Sequence, residues 1–457
     1  MATTRVRHVV LFPFPGQGHL AGFLAIARLL RSELPDATLT LVSTPRNVAA
    51  LRAFSAAADE SLSLSFHALP FVPSEHGLPA GCESCSSLPV QAFINLFEAF
   101  ESLEPAFDAY ISGLREDEAD VCVIADGFVA WTVNAARRHG CAHGIFLSCG
   151  AFGIAVYHAL WKKMPGLPFG PDGTLHLADE HPGVAAFHRS QLSPAFLYDG
   201  DMRDRWTAYY HRTIRLGYRT DAVLVNAVSE VEPTGLAMVR RALGGKIPVW
   251  PIGPLVRGQD LSEADDGVLR WMDSQPPASV VYIAFGSQNT IQPEQMMELA
   301  SALESTGRPF VWAIRPPIGF DIGGEFWDEW LPEGFEARAR ASKRRPRPGM
   351  GAASLSRGVP IIGWPLGAEQ FYNVRMLAEE WGVCVELARG NMESSVDAVK
   401  RSNVAEVLET VMGETAESVA MRRRVAEVQK MLKAAWAADG GSSRTALQEF
   451  LTAVRLQ

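Results

Sequence analysis

A histidine and an acid each follow an apolar segment in the first third of the chain. His19 comes after the strand-like residues 7–14 (RHVVLFPF), and Asp126 ends the strand-like run 121–125 (VCVIA). A neutral imidazole takes a proton from a hydroxyl group, and a neighbouring carboxylate fixes its tautomer and stabilises the imidazolium that forms. Each residue alone also fits a surface or helix-capping role. The two predict general-base chemistry if the fold brings them together.

A carboxylate and an amide stand side by side much later in the chain. Glu369 and Gln370 close residues 354–370 (SLSRGVPIIGWPLGAEQ), in which a turn precedes a short apolar run. Such a run is typical of a buried parallel strand, and residues just beyond it lie where open α/β sheets bind ligands. Glu369 can accept from two neighbouring hydroxyls, and Gln370 adds an acceptor and two donors. The pair suits a polyhydroxylated ligand, although two solvated residues at a strand end fit the same pattern.

The elements around His19 form one βαβ unit. The strand at 7–14 is followed by a glycine-containing turn, by apolar residues at helical spacing from Leu20 to Leu30, and by a strand at 38–43. We expect His19 in the first helical turn, where the helix dipole favours the neutral imidazole that a base requires. The glycine spacing does not match a dinucleotide fingerprint, so a nicotinamide or flavin site is not expected here.

The second half of the chain begins again with a similar pattern. Residues 279–288 (SVVYIAFGSQ) predict a strand and a glycine turn, followed by a helix at 293–305 and a strand at 309–314. Gly286 and Ser287 are placed to meet a phosphate, although a small residue in a tight turn is the plainer interpretation. Two such units predict an α/β protein with two Rossmann-like domains facing across a cleft.

Three phrases together resemble the plant family 1 UDP-dependent glycosyltransferases that modify secondary products. They are FPFPGQGHL around His19, ADGFVAW around Asp126 and GVPIIGWPLGAEQ up to Gln370. The resemblance spans nearly the whole chain and implies a GT-B-like fold. It also implies that UDP-glucose is the co-substrate, that no other cofactor is used, and that no metal is required because hydrogen bonds and a helix dipole stabilise the leaving diphosphate.

The resemblance assigns roles to individual residues. His19 deprotonates the acceptor and Asp126 orients and charge-balances His19; the residues implied in donor binding are Gly286, Ser287, Trp364, Glu369 and Gln370. Phe14 and Phe128 flank the catalytic pair and line the acceptor pocket, or else belong to the core. Gln370 in the last position of the motif implies a preference for glucose over galactose.

One part of the family motif is missing from this chain. The family carries a Trp-Ala-Pro-Gln phrase and a His-Cys-Gly-Trp-Asn-Ser phrase before the GVP turn, and neither occurs here. After residues 331–342 the chain instead reads KRRPRPGMGAA at 343–353, and roughly two dozen residues are absent relative to the family spacing. The missing piece should hold a central strand, a diphosphate-binding helix N-terminus and a base-stacking Trp. The basic run fits the junction of two spliced segments better than a nuclear-localisation signal.

Composition narrows the function classes and the compartment. The net charge of -9 and the pI near 5.7 argue against a general nucleic-acid or anionic-membrane binder. Six irregularly spaced cysteines do not form a disulfide framework, and Cys82 and Cys85 have no second pair at zinc spacing, so both fit incidental loop positions. Neither a signal peptide nor a membrane span is expected. We therefore expect a cytoplasmic monomer whose partners are a UDP-sugar and a small-molecule acceptor.

The expected domain boundaries follow from these signals. Residues 1–248 are assigned to the acceptor domain, 249–278 to the linker around a Pro/Gly-rich crossing, 279–439 to the donor domain, and 440–457 to a final helix packing back on the first domain. Residues 60–107 and 151–219 are expected to be irregular loops that form the wall of the acceptor pocket.

The sequence supports two functional hypotheses. The first is an enzyme that moves glucose from UDP-glucose to a hydroxyl of a small lipophilic plant metabolite with inversion, with activity reduced by the lost donor-site segment. The alternative is a non-catalytic protein that keeps the acceptor pocket and binds a small molecule without transferring sugar. The acceptor itself has no readable signal in the chain.

Overall fold

The computed structural model describes residues 7–58, 62–89, 92–116, 119–177, 181, 183–196, 201–255, 267–286, 289–317, 320, 325–338, 354–390 and 399–456. Its strands are short, as is usual for parallel sheets. In chain order they are β1 Arg7–Phe12, β2 Thr38–Ser43, β3 Ser65–Ala68, β4 Asp120–Asp126, β5 Ala142–Leu147, β6 Thr174–Leu175, β7 Phe187–His188, β8 Ala222–Val225, β9 Val249–Pro251, β10 Val281–Ala284, β11 Phe310–Ala313, β12 Ile361–Gly363 and β13 Cys384–Glu386.

Helices connect most of these strands. They are α1 Gln17–Glu33, α2 Pro45–Ala58, α3 Phe93–Glu101, α4 Glu104–Glu116, α5 Thr132–Arg138, α6 Ala151–Lys163, α7 Asp201–Gly217, α8 Pro233–Ala242, α9 Gly267–Asp273, α10 Pro293–Thr306, α11 Phe335–Arg338, α12 Gln370–Glu379, α13 Arg401–Met412, α14 Ala416–Ala434 and α15 Ser442–Ala453. The alternation of strands and helices gives the predicted α/β class.

The first half of the chain folds around a seven-stranded parallel sheet. Its strand order is β3-β2-β1-β4-β5-β8-β9. The chain leaves β1 toward β2 on one side and later returns to β4 on the other, so the order reverses between β1 and β4. In open parallel sheets, ligands bind outside the carboxyl ends of the strands at this reversal. The fold therefore places the ends of β1 and β4 at the expected ligand site.

Strand β1 shows why this sheet is buried on both faces. Val10 and Phe12 belong to the apolar core on one side, whereas Val9 and Leu11 belong to the core on the other, and all four are fully buried. Successive side chains of a strand point to opposite faces, so a continuous apolar run fits a sheet that is covered twice.

Two segments expected to be irregular contain helices. Residues 60–107 include α3, and residues 151–219 include α6 and α7. Both helices carry a readable helical period. In α3 the polar residues recur at every third position, namely Asn95, Glu98 and Glu101. In α7 the buried residues follow helical spacing, namely Trp206, Tyr209, Tyr210 and Thr213. The prediction of loops was wrong here, because the aromatic residues of these segments lie on the buried faces of helices.

The second half contains two smaller parallel pairs. Strand β10 pairs with β11, and β12 pairs with β13; within the described ranges no strand joins the two pairs. The side chains of β11 are all buried, whereas those of β10 are only partly buried and Tyr282 is 37% exposed. Residues 343–353, where the sequence predicts the loss of a central strand, lie outside the described residues.

Several contacts join the two halves of the molecule. Helix α6 packs against α12, Trp381 donates through its indole N–H to the carbonyl of Val231 at 2.8 Å, and the Arg375 guanidinium donates to the carbonyl of Ala186 at 3.0 Å. As predicted, the last helix packs on the first sheet: Phe450 of α15 is fully buried, with its ring 5.5 Å from that of Trp250.

The predicted linker contains regular structure. Strand β9 begins at residue 249 and extends the first sheet, and α9 lies near the end of the range 249–278. Helix α8 follows β8 after a short connection and begins at Pro233, whose ring is tolerated in a first helical turn.

Candidate active site

His19 and Asp126 meet at the reversal of strand order in the first sheet. His19 is the third residue of α1, and Asp126 is the last residue of β4. His19 Nδ1 lies 2.7 Å from Asp126 Oδ2, and the other carboxylate oxygen accepts from the backbone N–H of Phe128 at 3.0 Å. Because a carboxylate only accepts, Nδ1 carries the proton in the neutral imidazole and Nε2 is the basic nitrogen. The predicted contact is therefore present.

The surroundings of His19 favour its charged form. Burial by itself lowers the pKa of His19, but the charge of Asp126, the hydrogen bond to it and the charge of Glu369 together raise this pKa above its usual value. The helix dipole favours the neutral imidazole, as expected from its position, whereas the two nearby carboxylates favour the charged form and raise the pKa. The side chain of His19 is 31% exposed and that of Asp126 is 4% exposed, so the imidazole is accessible and the carboxylate is shielded.

An aromatic wall surrounds the catalytic pair. The ring centroids of Phe14 and Phe128 lie 5.9 Å and 5.2 Å from that of His19. Phe97 of α3 contacts both, at 4.2 Å from Phe14 and 4.8 Å from Phe128. All four residues line one cavity of about 1280 Å³. Phe14 is buried and Phe128 half-buried. The rings of Phe14 and Phe128 therefore pack against the core and also line the cavity.

The rest of the apolar wall comes from residues 151–219, the range expected to form it, although no single residue there was predicted. Helices α6 and α7 contribute Tyr157, Trp161, Trp206 and Tyr210 to the same cavity. Trp161 and Tyr210 stack with their centroids 4.3 Å apart. The helical spacing in α7 was the available signal for two of these residues. For the α6 residues the signal was weaker, because that helix is apolar on nearly every side.

The opposite wall of the cavity belongs to the second half of the chain. Gly286, Glu369 and Gln370 line it, so the fold gathers these predicted donor residues and the His19 pair around one space. Gly286 has a φ of +85°, which favours glycine at the turn after β10. Ser287 lies outside the described residues, and its predicted phosphate contact stays a prediction.

Glu369 and Gln370 differ in their local bonding. Glu369 precedes α12; its burial raises the pKa of its carboxyl, while a backbone hydrogen bond and the charge of His19 oppose that shift. Gln370 Oε1 accepts from the backbone N–H groups of Leu366 at 3.0 Å and Gly367 at 3.3 Å. The amide oxygen of Gln370 thus secures the loop after β12, and its NH₂ group is the part suited to a ligand.

Trp364 is placed beside the site. Its indole N–H donates to the carbonyl of Gly390 at 3.0 Å, and its ring meets the edge of Phe285 at 5.3 Å. It is absent from the described lining of the cavity, although Phe285 is present there. In this structure Trp364 supports the end of β12, and its contact with a donor stays a prediction.

Comparison with known proteins gives the chain a family. A family model described as the N-terminal domain of glycosyltransferases matches residues 6–167. UDP-glycosyltransferase 92A1 of Arabidopsis thaliana is 34% identical over 488 residues, covering 98% of this chain and 97% of the relative. The chain belongs to the plant family 1 UDP-glycosyltransferases. Crocetin glucosyltransferase 3 of Crocus sativus, 32% identical, covers 86% of the chain and has 90% of its own length aligned.

Solved structures show the same fold for this glycosyltransferase. Glycyrrhiza uralensis UGT73P12, complexed with glycyrrhetinic acid 3-O-monoglucuronide, superposes with a TM-score of 0.79 at 24% identity, covering 99% of this chain and 96% of its own. Phytolacca americana UGT2, complexed with UDP-2fluoro-glucose and pterostilbene, gives 0.78 at 22% identity, with coverage of 98% and 99%. The predicted GT-B fold is confirmed.

Alignment length bears on the missing motif of this glycosyltransferase. The alignment with the Arabidopsis relative is 488 residues long, whereas this chain has 457, so the relative carries residues without a counterpart here.

All six cysteines are free thiols, and five of them are buried. Among the described helices, none has the length and apolar character needed to cross a membrane.

Proposed function

We propose that this glycosyltransferase moves glucose from UDP-glucose to a hydroxyl group of a small lipophilic acceptor with inversion at the anomeric carbon. The proposal is supported by the cavity that the two halves of the molecule share. The His19–Asp126 pair, joined at 2.7 Å, lines an aromatic cavity of about 1280 Å³ that Glu369 and Gln370 close from the other domain. A base, an apolar acceptor pocket and a polar sugar-binding pair thus share one space.

The chemistry follows from the protonation states of the pair. Asp126 holds the Nδ1 proton of His19, so Nε2 takes the proton from the acceptor hydroxyl as its oxygen attacks the anomeric carbon. The bond from that carbon to the UDP oxygen breaks, and UDP leaves with the bonding electrons. Asp126 stays ionised and stabilises the imidazolium. A single displacement of this kind inverts the anomeric centre.

Glucose is the sugar that the names of two similar proteins specify. Among similar proteins, one from Crocus sativus and one from Nicotiana tabacum are named crocetin glucosyltransferase and scopoletin glucosyltransferase. Gln370 occupies the final position of the sugar motif, which the resemblance links to glucose. Because the amide oxygen makes the contacts to the loop after β12, we assign the NH₂ group the role of donating to a sugar hydroxyl.

We further propose that donor binding and turnover are reduced. Three observations support the loss of a strand and a diphosphate-binding helix start: the residues of the relative that have no counterpart here, the absence of both family phrases, and the partly exposed strand β10. Losing one preorganised donor at a developing anion costs roughly 3 kcal/mol, about a hundredfold in rate. Here several donors are lost together.

A second function is favoured by the contrast between the two halves. The first sheet is complete with seven strands, whereas the described second half has only two separate pairs. A protein with an intact acceptor pocket and a deficient donor site would bind a lipophilic small molecule without transferring sugar. This non-catalytic binding role is the alternative that experiments must separate from slow transfer.

Calorimetry and product detection separate these functions. We would titrate the full chain with UDP and with 2-naphthol, a small lipophilic hydroxyl compound, and then incubate it with UDP-glucose and 2-naphthol. Weak UDP binding with slow glucoside formation, abolished in His19→Ala, supports the proposal. Turnover at the rate of the Arabidopsis relative, measured in parallel, would overturn the impairment. Binding of 2-naphthol without UDP binding or product would favour the non-catalytic role.

A further inference from the structure

The cavity beside the catalytic pair is acidic as well as aromatic. Three carboxylates line it: Asp126 at the end of β4, Glu232 just before α8, and Glu369 just before α12. Among the described residues, neither lysine nor arginine lines this space. His158 also lines it, but burial and the nearby charge of Lys162 lower the pKa of His158 to about 4, so it is neutral at pH 7. Among the described residues that line this space, His19 is the group whose pKa is raised, by the charges of Asp126 and Glu369 and the hydrogen bond to Asp126, against the effect of its burial.

Glu232 is held in place by the start of a helix. Its carboxylate Oε2 accepts from the backbone N–H of Phe152 at 3.0 Å, and Ala151 also donates to it. The residue is 7% exposed, so it has little water to screen it. Burial raises the pKa of Glu232 to about 7, against the effect of the two backbone donors. A substantial part of its charge therefore remains at pH 7 and above.

Cys149 lies where the fields of the three acids overlap. It follows β5, lines the cavity and is the cysteine that is not buried. After burial, the charges of Glu369, Asp126 and Glu232 all raise the pKa of its thiol. These acids come from three separate parts of the chain, yet each acts on one sulfur. The interior of the cavity near Cys149 is thus unfavourable for a further negative charge.

Positive charge on His19 offsets only part of this field. The His19 imidazole contacts Asp126 at 2.7 Å, and its charge when protonated also acts on Glu369. Glu232 is thus the carboxylate without a described cationic partner on the cavity wall. An apolar molecule that enters this space is removed from water, so a carboxylate on it would meet two acids in a poorly screened region. An uncharged molecule of the same shape avoids this cost.

We propose that this cavity selects uncharged acceptors over acceptors that carry a carboxylate or sulfonate, and that Glu232 is a specificity-determining residue for this selection. The inference rests on the proposed transfer to lipophilic hydroxyl compounds and specifies their charge class. Glu232 acts through its field and takes no part in proton transfer. Hydroxyl groups of neutral phenols and alcohols are the substrates that fit, whereas formation of sugar esters on ionised acids is disfavoured.

Cys149 permits a test that needs neither acceptor nor donor. The thiol is treated with two methanethiosulfonates of similar size, one cationic (trimethylammonioethyl) and one anionic (sulfonatoethyl), without UDP. Rates at Cys149 are followed by peptide mass spectrometry and divided by the rates for free 2-mercaptoethanol. We expect the cationic reagent to be favoured by roughly tenfold or more. A normalised ratio near one would overturn the proposal.

Two glutamates give matched variants for this test. Glu232→Gln removes the buried charge but retains an oxygen that can accept from Phe152. Glu230→Gln makes the same chemical change on an exposed residue that accepts from Ser442 at 2.9 Å. We expect the reagent ratio to fall several-fold in Glu232→Gln and to change less than about twofold in Glu230→Gln. Equal effects of the two variants would contradict the role of Glu232.

Two acceptors that differ in charge then test whether the negative charge of the cavity affects which acceptor binds. Calorimetry compares 6-hydroxy-2-naphthoic acid with its methyl ester, in the absence of UDP. We expect the ester to bind at least roughly tenfold more tightly and the gap to narrow in Glu232→Gln. Equal binding would overturn the charge selection. Selective binding of the ester without any glucoside after addition of UDP-glucose would leave the selection standing and refute the proposed transfer instead.

Discussion

At the scale of single residues, the catalytic pair shows how neighbours set the behaviour of a base. The imidazole of His19 sits at a helix start, which favours its neutral form, but the carboxylates of Asp126 and Glu369 favour the charged form and prevail. The raised pKa makes the imidazole a stronger base, but it also lowers the fraction of molecules in which the imidazole is unprotonated at low pH. The rate of transfer should therefore rise with pH through the raised pKa of His19.

Replacing Asp126 tests this balance directly. In Asp126→Asn the burial of His19 remains while the carboxylate charge is lost, so we expect the pKa of His19 to fall and turnover to decrease by roughly a hundredfold. The pKa is measured by NMR titration of the imidazole. The matched control is Asp108→Asn, because Asp108 pairs with His139 at 3.1 Å elsewhere in the first domain. An unchanged His19 pKa in Asp126→Asn would contradict the prediction.

The raised pKa of Glu232 should make the free energy of unfolding depend on pH. Its pKa is about 7 in the folded protein against an ordinary value of 4.5, so between these pH values the folded state retains a proton that the unfolded state releases. The stabilisation that the folded state gains by retaining this proton is fully present below pH 4.5 and is lost as the pH rises to about 7. The pKa difference corresponds to about 3 kcal/mol at most.

The variant Glu232→Gln removes this titration. We expect its free energy of unfolding, measured by urea denaturation, to fall less between pH 5 and pH 8 than that of the natural protein. Glu230→Gln, which changes an exposed residue, should retain the original pH dependence. The same loss of stability in natural protein and Glu232→Gln would show that the buried carboxyl does not cause it.

At the scale of elements, the crossing of α6 and α12 holds the two halves together. Gly153 of α6 faces Asn373 of α12 so closely that an added Cβ would lie 2.2 Å from Asn373 Oδ1. This crossing lies next to the cavity, because Asn373 and Glu369 both line it. The close approach of the two halves beside the cavity therefore requires a glycine at position 153 in the first domain.

We expect Gly153→Ala to destabilise the protein by roughly 1–3 kcal/mol through overpacking. Thermal unfolding measures this loss, and Asn373→Ala in the same chain should restore part of it by removing the contacted side chain. Gly113→Ala in α4 is the control, because nothing lies within 4 Å of its added Cβ and alanine favours a helix. A neutral Gly153→Ala would mean that the two helices separate at little cost.

At the scale of the whole molecule, the two halves differ in how completely their sheets are built. Strand β4 is paired on both sides, by β1 and β5, and its interior is buried. Strand β10 has one partner among the described strands and partly exposed side chains. A strand that is hydrogen-bonded on one side only exposes its backbone amides to solvent more readily than a strand that is paired on both sides.

Hydrogen exchange should reveal this difference. We expect the amides of Val281–Ala284 to exchange much faster than those of Asp120–Asp126, because opening β10 breaks fewer hydrogen bonds and exposes less new apolar surface. Exchange is followed by mass spectrometry on the full chain, and β11 provides an internal reference within the same sheet. Protection of β10 equal to that of β4 would indicate that the second half is as stably ordered as the first.

The sequence alone determined the strand and helix starts that carry the catalytic pair and the sugar-binding pair. Apolar runs, glycine turns and helical spacing are local signals, and the carboxyl ends of parallel strands share one edge, so the meeting of His19 with Asp126 could be predicted across 107 positions. The GT-B fold followed from the same phrases.

Only the tertiary structure decided what surrounds those residues. The raised pKa of His19, the aromatic wall from α3 and α7, and the convergence of Glu232 on Cys149 all depend on contacts between distant segments. No local pattern encodes such contacts, since burial and charge at a point are sums over every element that packs there. Local propensity places a residue on an element, and packing decides its chemistry.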